Sequence, residues 1–232
     1  MERVKTGIKG FDGLIEGGIP KGSVILLSGT PGTGKTIFGM QYLHNGAVDF
    51  KENGLYVSFE ERKENLYRQA ESFGWGIKSL EEKGDVVINC IPTNALEKST
   101  PDNIVKLINE RNIKRVVIDS LSTLTMNTPT LTNYPHTLDA LTVKRFIYGF
   151  IQKLTGTDAT IILVSHSHDE NKLSIDGVSE FICDGIVKIN SQNLGGDHSR
   201  VMNVSKMRST KNDEDIHPVE IGKNGIVVHR LR

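Results

Sequence analysis

The chain has 232 residues, 28 Lys+Arg against 28 Asp+Glu, and 37% hydrophobic residues. That is enough to bury a full core as one α/β domain over residues 1–232. Zero formal net charge argues against dependence on non-specific attraction to nucleic acid or anionic membrane. No apolar run of roughly 18 residues is present, and Met1-Glu2-Arg3-Val4-Lys5 lacks the apolar segment of a secretory signal, so a cytosolic chain without membrane attachment is expected. Cys90 and Cys183 lie in apolar, strand-like stretches without C-x-x-C spacing, which reads as buried free thiols rather than a zinc site or a disulfide framework.

The first 22 residues are too rich in turn signals for a long helix and read as an ordered lead-in. Ser23 to Ser28 reads as a buried strand, and Ile37 to Leu43 as an apolar-periodic helix. Between them, Gly29-Thr30-Pro31-Gly32-Thr33-Gly34-Lys35-Thr36 fits the complete phosphate-binding P-loop pattern G-x-x-x-x-G-K-[ST]. Glycines let consecutive backbone N–H groups curl around a phosphate at a helix N-terminus. Lys35 then reaches the β- and γ-phosphates, and Thr36 can ligate Mg²⁺.

Gly54 to Phe59 reads as the next strand, ending at Glu60-Glu61. A helix follows from Lys63 to Phe73, then a strand from Asp85 to Ile91. Thr100-Pro101-Asp102 is a helix start, with a hydroxyl N-cap, Pro at the first helical position and a carboxylate near the positive end. Arg115 to Asp119 is an apolar strand that stops on a carboxylate, the form of a Walker B element, which makes Asp119 a second candidate for holding Mg²⁺. Leu138 to Leu154 keeps helical spacing, and Ala159 to Ser165 is another apolar strand. Such uninterrupted apolar strands separated by helices imply a mostly parallel central sheet flanked by helices. Short strands at 182–190, 199–207, 216–221 and 225–230 read as an antiparallel C-terminal extension. Ser120 to Thr137 reads as a long Thr-rich segment kept for function or partner contact. His166-Ser167-His168-Asp169 offers metal-binding side chains, although a polar loop beside the nucleotide is the better reading.

The lead-in Thr6 to Asp12, Gly17-Gly18-Ile19-Pro20, the P-loop, Ser58-Phe59-Glu60-Glu61, Ser72-Phe73-Gly74-Trp75 and Lys206-Met207-Arg208 together resemble, in order, the KaiC-like branch of the RecA superfamily ATPases. The double glutamate and the Lys-x-Arg are the more specific of these motifs. The resemblance implies a RecA-like fold in which the strand ending at Ser165 lies between the P-loop and Walker B strands, with Ser165 or His166 sensing the γ-phosphate. It implies ATP held by Thr30, Pro31, Gly32, Thr33, Gly34, Lys35, Thr36 and Ile37, and Glu60 and Glu61 as catalytic carboxylates. Ser72 falls near the base, whereas Phe73 and Trp75 read as core. Lys206, Met207 and Arg208 would enter the site of a ring neighbour, which implies a homo-oligomer, usually a hexamer, and a regulatory protein partner. Glu180-Phe181 stands where the self-phosphorylating family domain has a Ser-Thr pair, so the purely hydrolytic domain is the nearer likeness. The competing reading is a RecA-like DNA-binding recombinase. Against it, Ser122 to His136 contains no Lys or Arg, and Ser165 to Phe181 has only Lys172 among Asp169, Glu170, Asp176 and Glu180.

Overall fold

A computed structural model describes residues 1–128, 140–167, 172–191 and 200–230. The lead-in forms β1 (Arg3–Val4) and β2 (Ile19–Pro20), an antiparallel pair. The main sheet then receives β3 (Val24–Gly29), β4 (Gly54–Ser58), β5 (Val86–Cys90), β6 (Arg115–Asp119), β7 (Thr160–His166), β8 (Gly185–Ser191), β9 (Arg200–Met207), β10 (His217–Gly222) and β11 (Gly225–Val228). The helices are α1 (Lys35–Asp49), α2 (Lys63–Ser72), α3 (Ile77–Lys83), α4 (Thr100–Glu110), α5 (Leu121–Met126), α6 (Ala140–Thr155) and α7 (Ser179–Ile182).

Among the described residues nine strands lie in the order β11-β10-β9-β8-β3-β7-β6-β4-β5, so β7 sits between the P-loop strand and β6, as expected. From β8 across to β5 the pairing is parallel, and β9, β10 and β11 continue antiparallel. The antiparallel extension therefore begins one strand later than its sequence pattern implies, because β8 docks alongside β3 before the chain turns back. Every residue of β3, β4 and β6 is buried, as strands covered on both faces require. One apolar cluster gathers Phe11, Phe38, Tyr42 and Trp75 with the α1 side of the sheet. The other gathers Ile104, Ile147, Phe150 and Leu154 with the α4 and α6 side.

Arg115 locks α1 and the lead-in to the foot of β6. Its fully buried guanidinium donates to Glu52 Oε2 at 2.6 Å, to the Tyr42 carbonyl at 3.0 Å and to the Lys5 carbonyl at 2.8 Å. Gly46 makes this possible, since a Cβ there would lie 2.4 Å from Arg115 Cδ.

Some local expectations need correction. Thr100 is the first residue of α4 rather than its cap, and its hydroxyl accepts from the Glu97 N–H at 2.9 Å. The Thr-rich segment opens as a helix, α5, because Ser120 caps Thr123 N–H and Leu121 and Leu124 are buried. The short helix α3, with only Ile77 and Leu80 buried, has too little periodic signal to be read in advance. Leu138 lies outside the described residues. Cys183 is buried and Cys90 only partly so, both free.

Candidate nucleotide site

Three parallel strands end on the groups that matter, because side chains at the carboxyl edge of a parallel sheet project into the crevice beyond it. β3 delivers the P-loop, β6 delivers Asp119, and β4 delivers Glu60 and Glu61 just past its end. In register, Ser58 of β4 stands opposite Asp119 of β6, which brings these strand ends side by side.

Gly34 precedes α1 at φ 99°, a left-handed conformation in which a Cβ would meet Ile221 Cδ1 at 2.8 Å. The loop needs glycine there on both counts. Lys35 folds across the loop, with Nζ donating to the carbonyls of Gly29 and Thr30, both at 2.8 Å. Burial pulls its ammonium down to about 8, opposed by the nearby charges of Asp119 and Glu60. A cleft of about 500 Å³ is bordered by Gly32, Gly34, Lys35, Thr36, Ile37 and His166. Gln69 and Arg200 also line it. A larger cleft of about 760 Å³ opens on the other side of the glutamate pair, against Phe59, Cys90 and Pro92.

Thr36 Oγ1 donates to Asp119 Oδ2 at 2.8 Å, and the fully buried Tyr56 hydroxyl donates to the same oxygen at 2.5 Å. Burial pushes Asp119 up from the ordinary carboxylate range, and those two hydroxyls pull it back. Burial, with Asp119 alongside, also holds the Tyr56 hydroxyl well above its ordinary value, so it stays a donor. A desolvated carboxylate beside a threonine hydroxyl is a hard oxygen pair, and among the described residues its hydrogen-bond donors are neutral hydroxyls. That set fits a magnesium ion.

The two glutamates differ. Glu60 Oε1 accepts from His166 Nε2 at 3.2 Å and, more closely, from the Ser120 and Thr123 hydroxyls. The His166 bond, helped by those hydroxyls, pulls Glu60 down to about 2 against the opposing effect of burial. Glu61 is exposed and accepts from Asn65 Nδ2 at 3.0 Å. The Ser58 hydroxyl fixes the turn by accepting from the Glu60 and Glu61 N–H groups at 3.3 and 2.9 Å. Of the two sensor candidates, Ser165 is buried with its hydroxyl 3.4 Å from Ser122 Oγ, whereas His166 reaches the cleft. His166 pairs with Glu60, and His168 and Asp169 lie outside the described residues.

Ser72 ends α2, exposed, and its hydroxyl donates to the Gln69 carbonyl at 2.7 Å. The residue of that helix that lines the cleft is Gln69, one turn earlier. Phe73 stacks on the buried Trp75 with centroids 4.8 Å apart, as core residues do.

Lys206, Met207 and Arg208 lie elsewhere. Lys206 pairs with Ile186, Met207 with Gly185, and the Arg208 N–H bonds the Asp184 carbonyl, all at the end of the sheet where β3 begins. The six residues of β3 separate that end from the P-loop by roughly 17 Å at about 3.3 Å per residue. Lys206 Nζ donates to the carbonyls of Glu180 and Cys183 at 3.2 and 2.6 Å, and Arg208 Nη1 to Asp184 Oδ1 at 3.0 Å. Met207 packs its side chain in the core. The cation that β9 does bring to its own P-loop is Arg200, at the opposite end of the strand, with Nη2 3.4 Å from the Gly32 carbonyl. Sequence reasoning missed it because only the antiparallel register returns that residue to the loop.

Residues 4–232 match the family profile described as ATPase: KaiC. A UPF0273 protein of Methanocaldococcus jannaschii is 34% identical over 246 residues, covering 99% of this chain and 97% of the relative. The circadian clock oscillator protein KaiC of Prochlorococcus marinus is 31% identical over 242 residues, covering 100% of this chain but 46% of that protein. The crystal structure of a KaiC-like protein from Pyrococcus horikoshii OT3 has a TM-score of 0.84 at 33% identity, covering 99% of both chains. With a complete P-loop, an Asp119 strand two places away and the double glutamate on the next strand, the chain belongs to the KaiC family of ATPases.

Proposed function

We propose that this chain is a cytoplasmic, magnesium-dependent ATPase that converts ATP and water to ADP and phosphate. It works as a homo-oligomeric ring, expected to be a hexamer, and reports its nucleotide state to a partner protein. The observation that carries this reading is the meeting of Lys35, Thr36, Asp119 and Glu60 at neighbouring strand ends, with Arg208 at the far end of the same sheet.

In this reading the loop from Thr30 to Thr36, with Ile37, holds the phosphates through backbone N–H groups, and Lys35 fixes the γ-phosphate charge. Thr36 and Asp119 hold the metal. Bound magnesium would offset the negative charge of the phosphates. Glu60 polarises the attacking water and accepts its proton on Oε2, which has a single contact, 3.4 Å from His166 Nε2, among the described residues. Glu61 supports Glu60 from the cleft rim. Ser72 contributes to the base end of the site, beyond Gln69.

Arg208 and Lys206 act on the nucleotide of a neighbouring subunit, since the length of β3 keeps them from their own, while Met207 between them anchors the strand in the core. Glu180 and Phe181 offer no hydroxyl for phosphorylation, which favours hydrolysis. The absence of Lys and Arg from Ser122 to His136 favours a protein partner over nucleic acid. Among the described residues no helix is long and apolar enough to cross a membrane.

The test is solution mass with and without ATP, run alongside phosphate release. A nucleotide-dependent ring and hydrolysis abolished in Lys35→Ala are expected. Unchanged turnover in that variant would sink the ATPase reading.

A further inference from the structure

Tyr56 is the one aromatic residue of β4, in a strand otherwise made of Gly54, Leu55, Val57 and Ser58. Its ring is fully buried and lies against α1 at Gly39. A Cβ on Gly39 would lie 3.6 Å from Tyr56 Cε2 and 2.8 Å from Val117 Cγ1. For apolar packing alone, phenylalanine would serve equally, and a fully buried hydroxyl costs stability unless it finds a partner. Here the partner is Asp119 Oδ2, at 2.5 Å.

The same oxygen also accepts from Thr36 Oγ1 at 2.8 Å, while among the described residues no hydrogen bond is made to Oδ1. Two hydroxyls from different elements, β4 and α1, thus pin one carboxylate oxygen from two sides and fix the rotation of the group. Thr36 would be drawn toward the cation it helps to hold, which leaves the phenol as the standing anchor of Oδ2.

We propose that Tyr56 is a positioning residue for the metal-bearing carboxylate, its hydroxyl holding Asp119 in the orientation that keeps Oδ1 open to a divalent cation. This rests on the nucleotide and magnesium reading above. Outer-shell partners of metal-binding carboxylates fix their orientation, and their removal weakens metal binding by about 10- to 100-fold.

The experiment compares wild type, Tyr56→Phe and Asp119→Asn, each with saturating ADP, by titrating Mn²⁺ and reading free metal from its paramagnetic resonance signal. Tyr56→Phe is expected to bind Mn²⁺ at least about tenfold more weakly than wild type. It is expected to bind ADP equally well without metal, and to recover hydrolysis as magnesium is raised. Because Tyr56 is buried, a thermal melt without metal accompanies each variant, and equal ADP binding establishes that the P-loop has folded. Equal Mn²⁺ affinity in wild type and Tyr56→Phe, with Asp119→Asn weakened, overturns the positioning role and leaves the metal site standing. If Asp119→Asn binds Mn²⁺ as wild type does, the metal reading of the site falls, and the role of Tyr56 falls with it.

Discussion

Glu60 Oε1 and His166 Nε2 lie 3.2 Å apart, joining the end of the glutamate strand β4 to the end of β7, two strands away across β6. Ser120 and Thr123, at the start of α5, donate to the same oxygen and complete a three-sided hold on one carboxylate. Among the described residues the Glu61 carboxylate has only the bond from Asn65, which separates the members of the double glutamate. Glu60→Gln should leave ATP bound and lower phosphate release by about 10²-fold or more, because glutamine keeps the hydrogen bonding and loses the proton acceptor. Glu61→Gln should cost less. Nucleotide retention on a desalting column and single-turnover hydrolysis check both, and loss of ATP binding in Glu60→Gln would make that residue structural.

The same hold predicts a pH dependence of stability. Glu60 is depressed from an ordinary 4.5 to about 2 in the folded chain. The unfolded state therefore binds the proton first, so the contribution is complete above pH about 4.5 and disappears as pH falls through about 2. The carboxylate is about a third exposed, so solvent screening keeps the effect small. Urea unfolding of wild type and Glu60→Gln should differ by a constant amount above pH about 4.5, with wild type losing ground between that value and about 2. A difference that stays level across the window contradicts the hold.

What could be read from the sequence was what is local along it. The P-loop, Asp119 and Glu60 each follow a short apolar run, so strand, turn and functional residue arrive within about ten residues. Tyr56, Ser120, Thr123, Gln69 and Arg200 were not legible because their contacts depend on which strands are neighbours and in what register. Tyr56 reaches Asp119 only because β4 pairs with β6, and Arg200 reaches Gly32 only because β9 runs back against β8. The mismatch of a tyrosine in an aliphatic buried strand was the single advance signal. α5 escaped for another reason: Ser and Thr disfavour helix interiors, yet Thr125 turns its hydroxyl back to the Leu121 carbonyl at 2.8 Å while Leu121 and Leu124 bury.

Arg115 should prove a stability residue with no direct part in chemistry. Arg115→Leu strands the Tyr42 and Lys5 carbonyls and leaves Glu52 without its ion pair. Because Glu52 keeps partial access to solvent, a loss of about 3 kcal/mol is expected rather than more. Urea unfolding measures it. At a temperature where the variant stays folded, its nucleotide affinity should match wild type, and a selective loss of hydrolysis without loss of stability would contradict the assignment.

Arg208 lies at the end of β9 beside Gly185 and Asp184, and the intervening length of β3 separates it from its own P-loop. The position makes a test across subunits decisive. Arg208→Ala and Lys35→Ala should each be nearly inactive alone. Mixed rings contain some interfaces where an intact P-loop faces an intact Arg208, and activity should partly return there. Arginine fingers in GTPases contribute about 10³–10⁵ in rate, and a slow ATPase gains less in absolute turnover though the recovery remains measurable. Subunit exchange is verified by native mass spectrometry of isotope-labelled rings, so that rings which fail to mix are recognised. Arg208 also bonds Asp184 within its own chain at 3.0 Å, so Asp184→Asn serves as a control: it removes that ion pair and should leave complementation in place. Verified mixed rings without recovered hydrolysis would show that Arg208 serves its own subunit's fold, and the argument for an obligate ring would lose its main support.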